Sequence, residues 1–98
     1  MVAKTNAIFL AKRTYSKKDK ETGEKITMRC YDFLAYEEEE TNGLSAPEIK
    51  TMVVLDTDRH MTAESLKIYE KCVLTFDVVT GRENKVYFKP VDVERKTK

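Results

Sequence analysis

The sequence has little of several residue types on which enzymes and secreted domains depend. It contains no tryptophan, one histidine, three glycines and two cysteines. Because Cys30 and Cys72 are too few for the disulfide framework of a small secreted protein, and each lies in an apolar, strand-like run, we expect buried, reduced thiols. The chain also lacks paired carboxylates, a nucleophile motif, a phosphate-binding glycine loop and zinc-like cysteine spacing. We therefore expect a protein without enzymatic activity, metal or cofactor.

One alternation of polar residues, Asp56, Asp58 and His60, could hold a metal ion. The run continues, however, without the glycine and the distal glutamate of an EF-hand loop. A polar loop is therefore the favoured interpretation.

Long apolar runs are also missing. No stretch reaches the roughly eighteen apolar residues of a membrane-spanning helix, and the start MVAKTNAIFLAKR lacks the features of a signal peptide. We therefore expect a cytoplasmic protein. Its 98 residues, 41% hydrophobic and 36% charged, are typical of one small folded domain.

Charge is balanced overall but unevenly distributed. The net charge is +1, yet residues 1–36 carry +4, residues 37–64 carry −6 and residues 65–98 carry +3. A fold that brought the two ends together would give one cationic face, with the acidic middle elsewhere.

Five stretches have the alternation or the β-branched content of strands: 5–15, 25–36, 48–56, 70–80 and 84–93. The first is apolar on both faces near its middle, which is typical of a central strand. Between the third and fourth, Thr62 is suited to a helix N-cap, Glu64 follows in the first turn, and Leu66 and Tyr69 share a face, so we expect one short helix. The predicted core residues are Phe9, Leu10, Val53, Leu55, Leu74, Phe76 and Val78.

Three further features concern the loops and the register. Asp32 interrupts an apolar face and could mark a β-bulge. The glutamate-rich stretch 37–47 is expected to be a flexible acidic loop, and residues 94–98 (ERKTK) a frayed basic tail.

The order β-β-β-α-β-β is the layout of the OB-fold, so the predicted fold class is mostly β: a five-stranded OB-fold-like Greek-key barrel with one short helix between strands 3 and 4, as a single domain over residues 1–98. In length and in its basic first hairpin, GEKITMRCY, the chain resembles small OB-fold single-stranded-DNA-binding proteins of phages and plasmids, broadly the gene V protein type. That resemblance implies sequence-tolerant binding of single-stranded DNA, in phage or plasmid replication, by a homodimer or larger assembly. The chain departs from bacterial single-strand binders in ending ERKTK where they carry an acidic tail.

Single-strand binding needs cations that follow phosphates and flat side chains on which bases stack. Two strands alternate these types, as Arg29, Tyr31 and Phe33 and as Lys85, Tyr87 and Lys89. The loops after strands 1 and 4 flank the binding face of an OB-fold, and here they and their approaches supply Lys12, Arg13, Tyr15, Lys17, Lys18, Lys20, Lys25 and Arg82. These fourteen residues form the predicted nucleic-acid site.

Three alternatives to a single-stranded-DNA site remain open. Tyr31 and Phe33 could be barrel core, and the cations could merely solubilise outer faces. Stacking platforms and cationic grooves also suit single-stranded RNA. A third alternative is a protein-interaction module that docks its partner through the acidic loop and an exposed strand edge.

Overall fold

The computed structural model describes residues 2–36 and 47–96. It confirms the mostly β fold class, with five strands in the described chain: β1 (Val2–Lys18), β2 (Lys25–Tyr36), β3 (Glu48–Leu55), β4 (Lys71–Thr80) and β5 (Val86–Arg95). A short helix, α1 (Met61–Ser65), lies between β3 and β4. No helix in these two segments is long and apolar enough to span a membrane.

The strands form one antiparallel sheet in the order β3-β2-β1-β4-β5, with β1 at its centre as expected. The two end strands, β3 and β5, also contact each other, so the sheet curls towards a barrel. This strand order, closed by β3 and β5 and plugged by a helix after β3, is that of an OB-fold-like barrel.

The predicted bulge is on the neighbouring strand. The register shifts between Phe9 and Ala11 of β1, whereas β2 continues through Asp32 without a break. The reason is that β1 pairs with β4 only up to Ile8, opposite Lys71, and then continues along β2. The bulge therefore lies where β1 stops pairing with β4 and keeps β2 as its partner.

The core comprises Ala7, Phe9, Tyr31, Phe33, Met52, Ala63, Leu66, Cys72, Leu74, Phe76 and Val93. Of the predicted core, Phe9, Leu74 and Phe76 are buried, but Val53 and Leu55 are 41% and 43% exposed. Met52 faces inward opposite Tyr31, so alternation turns its neighbour Val53 outward. Leu10 and Val78 are only half-buried.

The helix is shorter than predicted and begins at a different cap. His60, rather than Thr62, is the N-cap, and its Nδ1 accepts the Ala63 N–H at 3.2 Å. The His60 N–H donates to the Tyr31 hydroxyl at 3.2 Å, which ties the helix start to the core. Tyr69 lies beyond the helix in a turn, with φ +69°.

Two sequence predictions concern segments at the limits of the described chain. The acidic loop lies outside the described residues except for Pro47. The predicted tail does not begin at residue 94, because Glu94 and Arg95 belong to β5 and Arg95 Nε donates to Glu70 Oε2 at 2.8 Å.

Candidate nucleic-acid interface

The inner face of β2 is core, which corrects part of the predicted site. Tyr31 and Phe33 are both 0% exposed, and the Phe33 ring meets Phe9 edge to face at 5.6 Å. Burial raises the pKa of the Tyr31 hydroxyl, with a smaller contribution from the carboxylate of Glu64. Rings that are enclosed by the barrel cannot stack on bases, so these two residues leave the candidate site.

Arg29 and Lys12 are both paired with Glu64 of α1, and the Lys12 side chain is still 44% exposed. Arg29 Nη2 donates to Glu64 Oε2 at 3.0 Å, and Arg29 Nε lies 2.8 Å from Oε1. Lys12 Nζ lies 3.3 Å from Oε2. Burial alone would raise the pKa of Glu64, but hydrogen bonds from Arg29 and Lys12 outweigh it and hold the pKa below its usual value. These two cations therefore stabilise the closed end of the barrel and are not free for phosphate.

The opposite face of strands β1–β3, hereafter the outer face, carries an exposed apolar strip. Cross-strand partners share a face, and the ladders align Tyr15 with Met28 and Leu55, and Arg13 with Val53 across Cys30, which is itself buried. Tyr15 is 41% exposed, similar to Val53 and Leu55. Lys17 follows Tyr15 on the same face, opposite Ile26. The outer face thus combines an aromatic ring, flat aliphatic surface and a cation.

Asp32 lies in the middle of the outer face and accepts hydrogen bonds from Arg13 and Thr51. Arg13 donates to both carboxylate oxygens, at 3.0 and 3.3 Å, and the Thr51 hydroxyl donates to Oδ1 at 2.7 Å. Burial alone would raise the pKa of Asp32, but the Arg13 and Thr51 hydrogen bonds outweigh it, and the pKa is lowered. Arg13 is thus on the predicted face but already paired.

Beyond the barrel, β1 and β2 project as a hairpin, hereafter the first arm (residues 14–28). Its turn is closed by Asp19, whose N–H donates to the Glu24 carbonyl and whose carbonyl accepts the Gly23 N–H, both at 2.8 Å. Gly23 has φ +74°, a conformation that favours glycine. The arm exposes Lys17, Lys18, Lys20 and Lys25, and none of the four forms an ion pair with another described residue.

The second arm is the β4–β5 hairpin (residues 77–89), and it carries an exposed aromatic ring. Tyr87 is 53% exposed, and its ring lies against Gly81, where a Cβ would come 2.3 Å from Cε2 and would displace the ring. Tyr87 and Lys89 share a face, opposite Val79 and Asp77. Arg82, Lys85 and Lys89 of this arm are exposed and form no ion pair within residues 2–36 and 47–96.

The structure does not bring the two predicted triplets onto one surface. The first arm extends from the end of β1, whereas β4 passes the start of β1 at Val2, opposite Asp77, and continues into the second arm. The arms therefore leave β1 at opposite ends. Sequence reasoning missed Val53 and Leu55 as surface residues, although their alternation with Met52 carried the signal.

Comparison with known proteins does not assign the chain to a family. No family model matches the chain, and neither does any curated protein or solved structure.

Proposed function

We propose that this protein binds single-stranded DNA without catalysis and with little sequence preference, in the cytoplasm and in phage or plasmid replication. The observation that carries the proposal is the outer face, where half-exposed Tyr15 lies beside Met28 and Leu55. It is followed by Lys17, an exposed cation that forms no ion pair with any other described residue. In OB-folds the face of strands 2 and 3 and the loops after strands 1 and 4 bind oligonucleotides.

Binding on this face would combine stacking with charge. A base stacked on Tyr15 contributes roughly 1–3 kcal/mol, whichever base it is, because every base has a π-face. Lysines of the first arm follow the phosphates, and each neutralised phosphate releases counterions. The protein would therefore hold single strands stoichiometrically, with no turnover.

The second arm supplies another platform of the same type. Tyr87 is held against Gly81 yet remains half-exposed, and Lys89 shares its face. We include Tyr87, Lys85, Lys89 and Arg82 in the proposed site as a second contact region.

The proposal is tested by titrating the protein into fluorescein-labelled oligo(dT) at low and at high salt. Duplex DNA and single-stranded RNA of equal length are the comparisons. We expect binding that weakens steeply with salt and favours single strands over duplex. An equal affinity for RNA would show that the protein does not distinguish DNA from RNA, because these contacts do not recognise the 2′-hydroxyl. No binding at low salt would refute the proposal in favour of a protein-interaction module.

Variants locate the site. Tyr15→Ala should weaken oligo(dT) binding about tenfold, since one stacked base is lost. Met61→Ala is the matched control, because Met61 is 79% exposed and lies on α1 away from the outer face. Equal affinities of these two variants, both folded, would place the site elsewhere.

We further propose a homodimer that assembles through the inner side of the second arm. Val86 and Phe88 lie on the face opposite to Tyr87 and are 53% and 51% exposed, although Phe88 meets Phe76 edge to face at 6.2 Å. A second copy would cover these apolar side chains. Sedimentation equilibrium should show a dimer that Phe88→Lys dissociates, whereas Val2→Lys, at an apolar position on β1 that is 65% exposed, should leave it intact. A monomeric wild-type protein would refute this part.

A further inference from the structure

The turn between α1 and β4 contains the least expected backbone conformation of the described chain. Tyr69 has φ +69°, in the left-handed region that a large aromatic residue rarely adopts. Its side chain is 75% exposed, and that of Ile68 beside it is 64% exposed. Glycine or asparagine would occupy this backbone position at lower cost. The ring therefore gains nothing from packing that would offset its conformation.

The surrounding hydrogen bonds hold the turn in place. The Tyr69 N–H donates to the Phe9 carbonyl at 2.7 Å, and the Phe9 N–H donates to the Glu70 carbonyl at 3.0 Å. Within the turn, the Glu70 N–H donates to the Lys67 carbonyl at 2.9 Å, while the Lys67 N–H donates to Glu70 Oε1 at 3.0 Å. Backbone strain that is fixed by its surroundings in this way is typical of functional positions.

The surface around the ring is concave and cationic. A depression of about 520 Å³ is lined by Lys67, Ile68, Tyr69, Glu70 and Arg95. Arg95 is occupied by Glu70 and by the Ser65 carbonyl, which it approaches to 2.6 Å. Lys67 and Lys71, by contrast, are exposed and form no ion pair with any residue of the two described segments.

The turn also borders the proposed binding surface. It is bonded to β1 at Phe9, where the strand leaves β4, and two residues later Ala11 pairs with Asp32 on the outer face. A strand of nucleic acid that crossed β3, β2 and β1 would reach this turn next. We infer that Tyr69 is an additional stacking platform for one unpaired base of single-stranded DNA, and that Lys67 and Lys71 beside it contact the phosphates. This inference rests on the proposed function.

The inference predicts opposite effects of one substitution on stability and on binding. Tyr69→Gly removes the ring and relieves the left-handed conformation, so it should raise the Tm by several degrees, about 5 °C, while weakening binding to oligo(dT) roughly tenfold. Tyr69→Asn should weaken binding equally and raise the Tm by less, since asparagine tolerates this conformation. Tyr69→Phe is the matched control and should bind like the wild-type protein, because phenylalanine keeps the ring.

The experiment is a fluorescence titration of folded Tyr69→Gly, Tyr69→Asn and Tyr69→Phe with labelled oligo(dT), beside the wild-type protein and Tyr15→Ala. Weaker binding by both the glycine and asparagine variants, with the phenylalanine variant unchanged, supports the inference. If the wild-type protein binds and Tyr15→Ala weakens it, but Tyr69→Gly and Tyr69→Asn bind normally, this inference alone is overturned. If the wild-type protein does not bind, the proposed function and this inference fail together.

Lys67 and Lys71 provide an independent readout. Lys67→Ala with Lys71→Ala should reduce the slope of log affinity against log salt by about 1.4, because each phosphate contact to a single strand contributes about 0.7. An unchanged slope would remove the phosphate contacts from the inference.

Discussion

Glu64→Gln tests how the closed end of the barrel is held together. The Glu64 carboxylate is 16% exposed and receives a hydrogen bond from Arg29 at 3.0 Å, with Lys12 at 3.3 Å and Arg59 at 3.8 Å from its oxygens. Glutamine keeps the size of the side chain but removes its charge. A hydrogen bond to a charged, mostly buried group contributes about 1.5–3 kcal/mol. We expect the free energy of unfolding to fall by about 2 kcal/mol at pH 7, and the Tm by roughly 10 °C.

The pH dependence makes this prediction specific. The pKa of Glu64 is lowered in the folded protein, so its contribution to stability is present above the unfolded value of 4.5 and is lost as the pH falls through the folded value. Protonated glutamate resembles glutamine. The difference in stability between wild type and variant should therefore be full at pH 7 and should vanish below the folded pKa of Glu64.

The assay is urea unfolding followed by far-UV circular dichroism at a series of pH values from neutral to about 3. Glu94→Gln is the control, because Glu94 pairs with Lys4 at 3.3 Å while both side chains are about 60% exposed. Such exposed pairs contribute little. A difference for Glu64→Gln that is the same at pH 3 as at pH 7 would show that charge is not what Glu64 contributes.

Three further predictions address separate parts of the fold. Glu83 and Asn84 have φ +61° and +59° in the second-arm turn, so Glu83→Asn should raise the free energy of unfolding by about 0.5–1 kcal/mol. Glu83→Gln keeps the strain and should leave the free energy of unfolding unchanged. Equal stabilities of the two variants would contradict this prediction. Burial raises the pKa of the Cys72 thiol to about 11, so it should react with Ellman's reagent at pH 8 only in urea; rapid reaction of the folded protein would disprove its burial. Asp32→Asn should free Arg13 on the outer face, tighten oligo(dT) binding and steepen its salt slope by about 0.7. Unchanged binding would exclude Arg13 from the path of the strand.

The sequence was sufficient for the strands and their order, because each carries a period of two and the turns carry glycine, asparagine or charge. It could not decide which face of β2 is buried, since Met28 and Cys30 on one side are as apolar as Tyr31 and Phe33 on the other. The decision comes from distant partners: the Tyr31 hydroxyl accepts the N–H of His60, which lies 29 residues away.

The same limit applies to the charged site residues. Arg29 and Arg13 look free in the sequence, but their carboxylate partners lie 35 and 19 residues away. Cation patterns along a strand therefore overestimate the number of side chains that are available to phosphate. The lysines of the first arm are exposed and form no ion pair within residues 2–36 and 47–96, because the hairpin extends beyond the barrel.

The divided pairing of β1 has a consequence for how the chain folds. The β1–β2 and β4–β5 ladders join residues close in sequence, whereas the β1–β4 ladder begins with Val2 opposite Asp77. Closing that distance costs chain entropy before any contact rewards it, so the two hairpins should form first and the β1–β4 ladder should close only after the folding transition state. Substitutions in the first residues of β1, such as Ala3→Gly, should therefore accelerate unfolding more than they slow folding in stopped-flow measurements, since those contacts form late. A folding rate that falls in proportion to the lost stability would instead place this ladder in the folding nucleus.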